Sequence, residues 1–248
     1  MNQVTYSFIV STLAGLSTML GSIFVFFNFK DSSKVILRAL SFAAGVMICI
    51  CIIDLIPSAF SGFNTIYKAI PSIVFLLIFI IIGIITSLGI DKYLPNNDTK
   101  LYKVGIISMI AIILHNIPEG ILTFMLSTHD LKLGISMALA ISIHNIPEGI
   151  SISIPIYYST NNKTKAFIYT LISGLSELLG AILAYLLLSL YINDFTMSIL
   201  LSIISGIMIY IPIYELLPVS LSYNKKKESI IFLVTGIIFM IISHYIIN

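Results

Sequence analysis

The chain has 248 residues, 58% hydrophobic and only 10% charged, with a mean hydropathy of +1.07. A soluble domain carries about 25% charged residues, whereas a bilayer core calls for runs of roughly 20 apolar ones. The composition excludes a soluble globular fold and describes an all-α integral membrane protein; the net charge of +2 points to no nucleic-acid or other charged partner.

Eight spans follow in chain order: Tyr6–Phe27, Val35–Phe60, Ile70–Ile90, Val104–Leu126, Leu133–Tyr158, Ala166–Leu190, Phe195–Leu217 and Ile230–Ile247. The connections are short and polar ("FKDSSK", "DKYLPNNDTK", "STHD", "STNNKTK", "SYNKKKES"), so residues 1–248 read as one transmembrane domain. No basic n-region or cleavage site precedes the first span, which reads as a retained helix.

Alternate loops hold eleven of the thirteen Lys and Arg: Lys30, Lys34 and Arg38, then Lys92, Lys100 and Lys103, then Lys163 and Lys165, then Lys225, Lys226 and Lys227. Only Lys68 and Lys132 fall on the other side. The positive-inside rule puts the eleven in the cytoplasm and both termini outside a cell membrane. Cys49 and Cys51 sit two apart in one helix, point to different sides and cannot form a normal bridge.

Two repeats run through the spans. "HNIPEG" occurs at His115–Gly120 in span four and again at His144–Gly149 in span five. "GLSTMLG" (Gly15–Gly21) in span one matches "GLSELLG" (Gly174–Gly180) in span six. Span two has Gly45, then Asp54-Leu55-Ile56-Pro57; span seven has Gly206, then Glu215-Leu216-Leu217-Pro218, with the same interval from Gly to acid. An offset of five spans reverses direction across the membrane. The pattern is an inverted repeat around a central inverted pair, an arrangement of secondary transporters whose sites lie near the midplane.

Five of the eleven acids lie within spans: Asp54, Glu119, Glu148, Glu177 and Glu215. No Lys or Arg sits at comparable depth, and a central charge costs roughly 2.5–3.5 kcal/mol on the insertion scale, so these carboxylates need protons, water or cations. In each "HNIPEG" the His and Glu are four apart and share a helix face. His115 with Glu119, and His144 with Glu148, therefore each offer an imidazole nitrogen and a carboxylate to one point, while Asn116 and Asn145 face a neighbouring position. Pro118 and Pro147 remove a backbone donor and are expected to open and kink both helices there. Gly120 and Gly149 admit a close helix. Span six adds Glu177 and Ser176.

A His, Glu and Asn set without a thiolate cage suits Zn²⁺, Fe²⁺, Mn²⁺ or Co²⁺. Met47, Cys51 and Asp54 form one stripe on span two; Met47 reads as a ligand or as packing, and Cys51 as a path residue or as a buried thiol. The orientation puts Asp54 near the outer mouth and Glu215 near the cytoplasm.

At these residues the chain resembles the ZIP (Zrt/Irt-like) family of divalent-metal transporters, nearest to its bacterial zinc-uptake branch. The resemblance covers essentially the whole chain and rests on the doubled "HNIPEG", "SGLSE" in span six and "ELLP" in span seven. It implies import of Zn²⁺ foremost, with Fe²⁺, Mn²⁺, Co²⁺ and Cd²⁺, into the cytoplasm; the metal is cargo and no cofactor is called for. It further implies a two-metal centre. One position would be held by His115, Glu119, His144 and Glu148 with Met47. The other would be held by Asn116, Asn145 and Glu177, with Glu119 and Glu148 bridging. A three-plus-two-plus-three helix arrangement is implied as well, as are a homodimer and sliding of helices one, four, five and six against helices two, three, seven and eight.

Two departures stand out. The loop "DKYLPNNDTK" holds no His, where many relatives have a His-rich loop, and some relatives have Asp at the position of Asn145. Two other readings use the same residues: a passive cation channel, and an intramembrane zinc hydrolase. Against the hydrolase, "HExxH" is absent and only His115 and His144 lie deep; His129 falls in an outer loop and His244 near the end of the last helix.

Overall fold

The computed structural model describes residues 2–27, 29–93, 99–188 and 193–247. Among the described residues, eight helices are long and apolar enough to cross a membrane: α1 (Gln3–Phe26), α2 (Ser32–Asn64), α3 (Ala69–Tyr93), α4 (Lys100–His129), α5 (Leu131–Thr160), α6 (Lys163–Leu186), α7 (Asp194–Leu221) and α8 (Lys226–Ile246). Helices are the economical solution here because lipid offers no partner to an open backbone group. Ser189 and Leu190, at the expected end of span six, lie outside the described residues, as does part of the α3–α4 loop.

Most helices start before the apolar run does, because a polar residue caps the extra turn. Asp31 accepts from the Lys34 N–H, Thr99 from Tyr102, Asn162 from Lys165, and Asn193 from Thr196 in a capping box. Asp130 alone separates α4 from α5 and accepts from the N–H groups of Lys132 and Leu133. Each such bond satisfies a donor that the first turn leaves open.

The expected opening at the two motif prolines is not where helical geometry changes. α4 and α5 remain α-helical through Pro118 and Pro147. Wide π turns occur instead at Cys51–Leu55 in α2 and Ile211–Leu216 in α7, with a third at Ala184–Leu188 in α6. The first two contain Asp54 and Glu215, so the acids at the two ends of the expected path both sit where the i→i−4 ladder is stretched.

Two groups of helices pack around the middle. α1, α4, α5 and α6 all contact one another; α2 packs along α8, and α3 along α7. The groups meet chiefly where α2 crosses α5, with α4 touching α7. On the α2 side, Ser220 of α7 bonds Ser41 of α2 at 2.5 Å and Ser229 of α8 at 2.8 Å, tying three helices at one level. Only 17% of the apolar stretches of α3 and α8 is buried within the chain, which leaves their Ile-rich faces on the outside of the bundle.

Candidate metal centre

Glycines set the closeness of the first helix group. A β-carbon added at Gly120 of α4 would meet the Glu177 carbonyl of α6; one at Gly149 of α5 would meet the Thr18 carbonyl of α1. Gly180 abuts the Ile117 carbonyl, and Gly21 the Ile146 carbonyl. Gly15 and Gly174, equivalent positions in the two "GLS" motifs, abut each other's carbonyls. Bare backbone thus lies against backbone at each of these crossings, and the motif side chains of α4 and α5 are drawn into one small volume.

Seven polar side chains fill that volume. None of His115, Asn116, Glu119, His144, Asn145, Glu148 and Glu177 is more than 6% exposed. Glu119 Oε1 lies 3.1 Å from His115 Nε2 and 3.0 Å from His144 Nε2, and Glu148 Oε1 lies 3.6 Å from His115 Nε2. One donor atom from each of His115, Glu119 and His144 falls within 4.8 Å of the others, a spacing compatible with a single ion. Among the described residues the ion-pair partners of Glu119 and Glu148 are these imidazoles, with no Lys or Arg.

The two asparagines are held in matching fashion. Asn116 Nδ2 donates to the Ser173 carbonyl at 3.1 Å, and Asn145 Nδ2 to the Ala14 carbonyl at 3.2 Å. Asn145 also donates to Glu177 Oε2 at 3.2 Å. Both amide oxygens are thereby turned away from those carbonyls and have no hydrogen-bond partner among the described residues. Glu119 Oε2, both Glu148 oxygens and Glu177 Oε1 are likewise buried and, among the described residues, without a hydrogen-bond donor. A buried acceptor without a donor costs about 1–3 kcal/mol, and more when charged. A cluster this rich in oxygen lone pairs and imidazole nitrogens can satisfy them together by binding a cation.

The other sequence candidates spread along the bundle. Met47 and Cys51 are fully buried in the α2 core, and the Cys51 thiol faces the Ser205 carbonyl of α7 at 4.0 Å. Ser176 directs its hydroxyl to the Ser173 carbonyl of its own helix at 2.5 Å. Asp54 lines a cavity of about 80 Å³ together with His144, Met137, Met240 and His244. His244 was not among the sequence candidates; no motif surrounds it, and only the packing of α8 beside α2 and α5 puts it on the same cavity. Glu215 is buried in α7, within electrostatic reach of Asp91 and Lys103, which pair at 2.7 Å between α3 and α4.

A family model described as ZIP Zinc transporter matches residues 95–244, from the α3–α4 loop through α8 and including both "HNIPEG" motifs. The chain belongs to the ZIP zinc transporter family. Its ZIP relatives extend the match over α1–α3. A protein of Campylobacter jejuni named zinc transporter ZupT is 37% identical, with 97% of this chain and 96% of the relative covered. Those of Clostridium perfringens and Oceanobacillus iheyensis, given the same name, are each 36% identical over 98% of this chain, covering 96% and 98% of their own lengths. ZIP membership sets the chain among transporters rather than enzymes, and the hydrolase reading of the same ligands falls away.

Proposed function

We propose that this ZIP protein imports divalent transition-metal cations, Zn²⁺ foremost, across the cell membrane into the cytoplasm. The observation that carries the reading is the buried His115–Glu119–His144–Glu148 cluster, whose carboxylates have imidazole neighbours and unmatched oxygens but, among the described residues, no basic partner. In this reading one metal position takes His115, Glu119, His144 and Glu148, with Met47 approaching from α2. A second takes the free oxygens of Asn116, Asn145 and Glu177, with Glu119 and Glu148 shared. Fe²⁺, Mn²⁺, Co²⁺ and Cd²⁺ present similar borderline chemistry and are further substrates.

Metal enters past Asp54, whose cavity reaches His144, and leaves past Glu215. The Lys and Arg asymmetry supports putting both termini outside. α1, α4, α5 and α6 form the moving unit that holds the metal, and α2, α3, α7 and α8 the frame, in keeping with the packing of the two groups. The matched glycine contacts support inverted repeats on either side of α4 and α5. The protein works as a homodimer.

The test is uptake into proteoliposomes holding the purified protein, with each of the five ions in turn. Saturable Zn²⁺ uptake that the other ions inhibit, and that Glu119→Gln abolishes in a folded protein, is the expected result. Uptake by Glu119→Gln at the wild-type rate would overturn the site. Linear, non-saturating flux without counterflow would replace the carrier by a channel.

A further inference from the structure

A groove of about 510 Å³ opens at the lysine-rich ends of α1, α2, α5 and α8, lined by none of the seven polar side chains of the metal cluster. Its volume lies within the ~300–1,000 Å³ typical of small-ligand clefts. The walls are apolar: Phe24 from α1, Phe42 from α2, Ile150 and Ile154 from α5, and Phe232 from α8. Phe24 is 43% exposed, whereas Ile154 at the floor is 1% exposed, so the groove runs from the lipid-facing surface to the junction of the two helix groups.

The mouth is basic. Lys30, Lys34 and Arg38 line it together with a single acid, Asp31. The Asp31 carboxylate is 3.4 Å from Lys34 Nζ and 3.8 Å from Lys225 Nζ. Its carboxyl is held below the usual value, mainly by the Lys34 backbone N–H, so it remains an anion at neutral pH. Arg38 places Nε and one Nη on Glu228 Oε1, at 2.7 and 2.6 Å, which leaves other guanidinium hydrogens for a second acceptor. Four cations (Lys30, Lys34, Arg38, Lys225) thus face two carboxylates, an excess of two positive charges above an apolar slot.

We propose that this groove binds an anionic phospholipid of the cytoplasmic leaflet, with its phosphate at Lys30, Lys34 and Arg38 and an acyl chain against Phe42, Phe232 and Ile154. Charge complementarity selects the occupant. A zwitterionic lipid would fill the slot but bring its own ammonium to an already positive mouth, and a soluble anion would suit the mouth but not the slot; basic pockets between helices on this side of a membrane suit anionic headgroups. The inference rests on the proposed orientation only for the name of the leaflet. Because α1 and α5 form one wall and α2 and α8 the other, the lipid would sit across the boundary between the proposed moving unit and its frame.

The chain contains no Trp, so Phe232→Trp supplies a lone tryptophan, excited selectively over the tyrosines, in the groove wall while keeping an aromatic ring beside Arg38. The variant, first shown to be monodisperse, is placed in phosphatidylcholine nanodiscs doped with phosphatidylglycerol or phosphatidylcholine carrying brominated acyl chains. Brominated phosphatidylglycerol should quench at a clearly lower mole fraction than brominated phosphatidylcholine. Adding Lys30→Gln and Lys34→Gln should erode that preference by about fivefold per charge removed. Equal quenching by the two lipids would overturn the proposal. So would loss of the preference on adding glycerol phosphate, which would mark a soluble-anion site. Quenching by neither lipid would show that no acyl chain reaches the groove, and would overturn it too.

Discussion

Asn145 uses both amide hydrogens, one on the Ala14 carbonyl and one on Glu177, so its nitrogen is as constrained as its oxygen is free. Replacing it by Asp would remove both donors and set a second carboxylate against Glu177. We expect Asn145→Asp to lower stability without metal by about 1–3 kcal/mol, and added Zn²⁺ or Cd²⁺ to restore more than it gives the wild type. Thermal unfolding in detergent, with and without metal, measures both; a variant insensitive to metal would remove Asn145 from the second position. Glu148→Gln, by contrast, takes a charge from both positions, and its uptake should fall about 100-fold or more, since even outer partners of metal ligands are worth 10–100-fold. Glu177→Ala should lower rate or change metal preference without ending transport. Of this site, the two motifs were legible in the sequence, because a spacing of four fixes a helix face whatever surrounds it. The bonds of Asn116 and Asn145 to α6 and α1 were not, since they join residues 57 and 131 positions apart.

Between helices, contact distance is set by single glycines. A methyl group at Gly120 must displace the Glu177 carbonyl, whereas one at Gly89 in α3 meets nothing within 4 Å. Gly120→Ala should therefore cost about 1–3 kcal/mol through overpacking and slow uptake by spreading α4 from α6. Gly89→Ala should be neutral or stabilising by up to about 1 kcal/mol, the helix-propensity gain. Equal melting temperatures for the two variants would deny that the α4–α6 crossing is tight. The eight apolar runs were plain in the sequence, but their capped first turns were not read from it, because apolar periodicity stops short of the polar residues that Asp31, Thr99, Asn162 and Asn193 cap. The π turns were not legible either. A shift from i→i−4 to i→i−5 bonding leaves composition unchanged, and the prolines that suggested a break, Pro118 and Pro147, lie in helices that continue through them.

Sidedness belongs to the whole molecule. With Cys49 and Cys51 first replaced by Ala and uptake verified, Cys introduced at the exposed positions Ser61 or His129 should react with an impermeant thiol reagent from outside; Cys at exposed Lys226 should not. Asn97, a companion inner position, lies outside the described residues. The reverse pattern would make Asp54 the cytoplasmic mouth and invert the direction of import. Charge counts give the sidedness that this labelling tests, but no count shows that α2 lies along α8 and α3 along α7, because apolar faces match one another indiscriminately in lipid. The glycine contacts carry a further consequence. Gly45 of α2 abuts the Leu233 carbonyl of α8, as Gly206 of α7 abuts that of Ile80 in α3; Gly236 meets Phe42, as Gly83 meets Ile203. Each of these crossings on one side of the molecule has a twin on the other. In the proposed inverted-repeat reading these matched crossings would let either half take the packing of the other without a new backbone clash. The twins differ in chemistry at one pair of crossings: Thr18 stands against Gly149 where Glu177 stands against Gly120, so under the proposed second metal position a bound cation would act on one half and not on its counterpart.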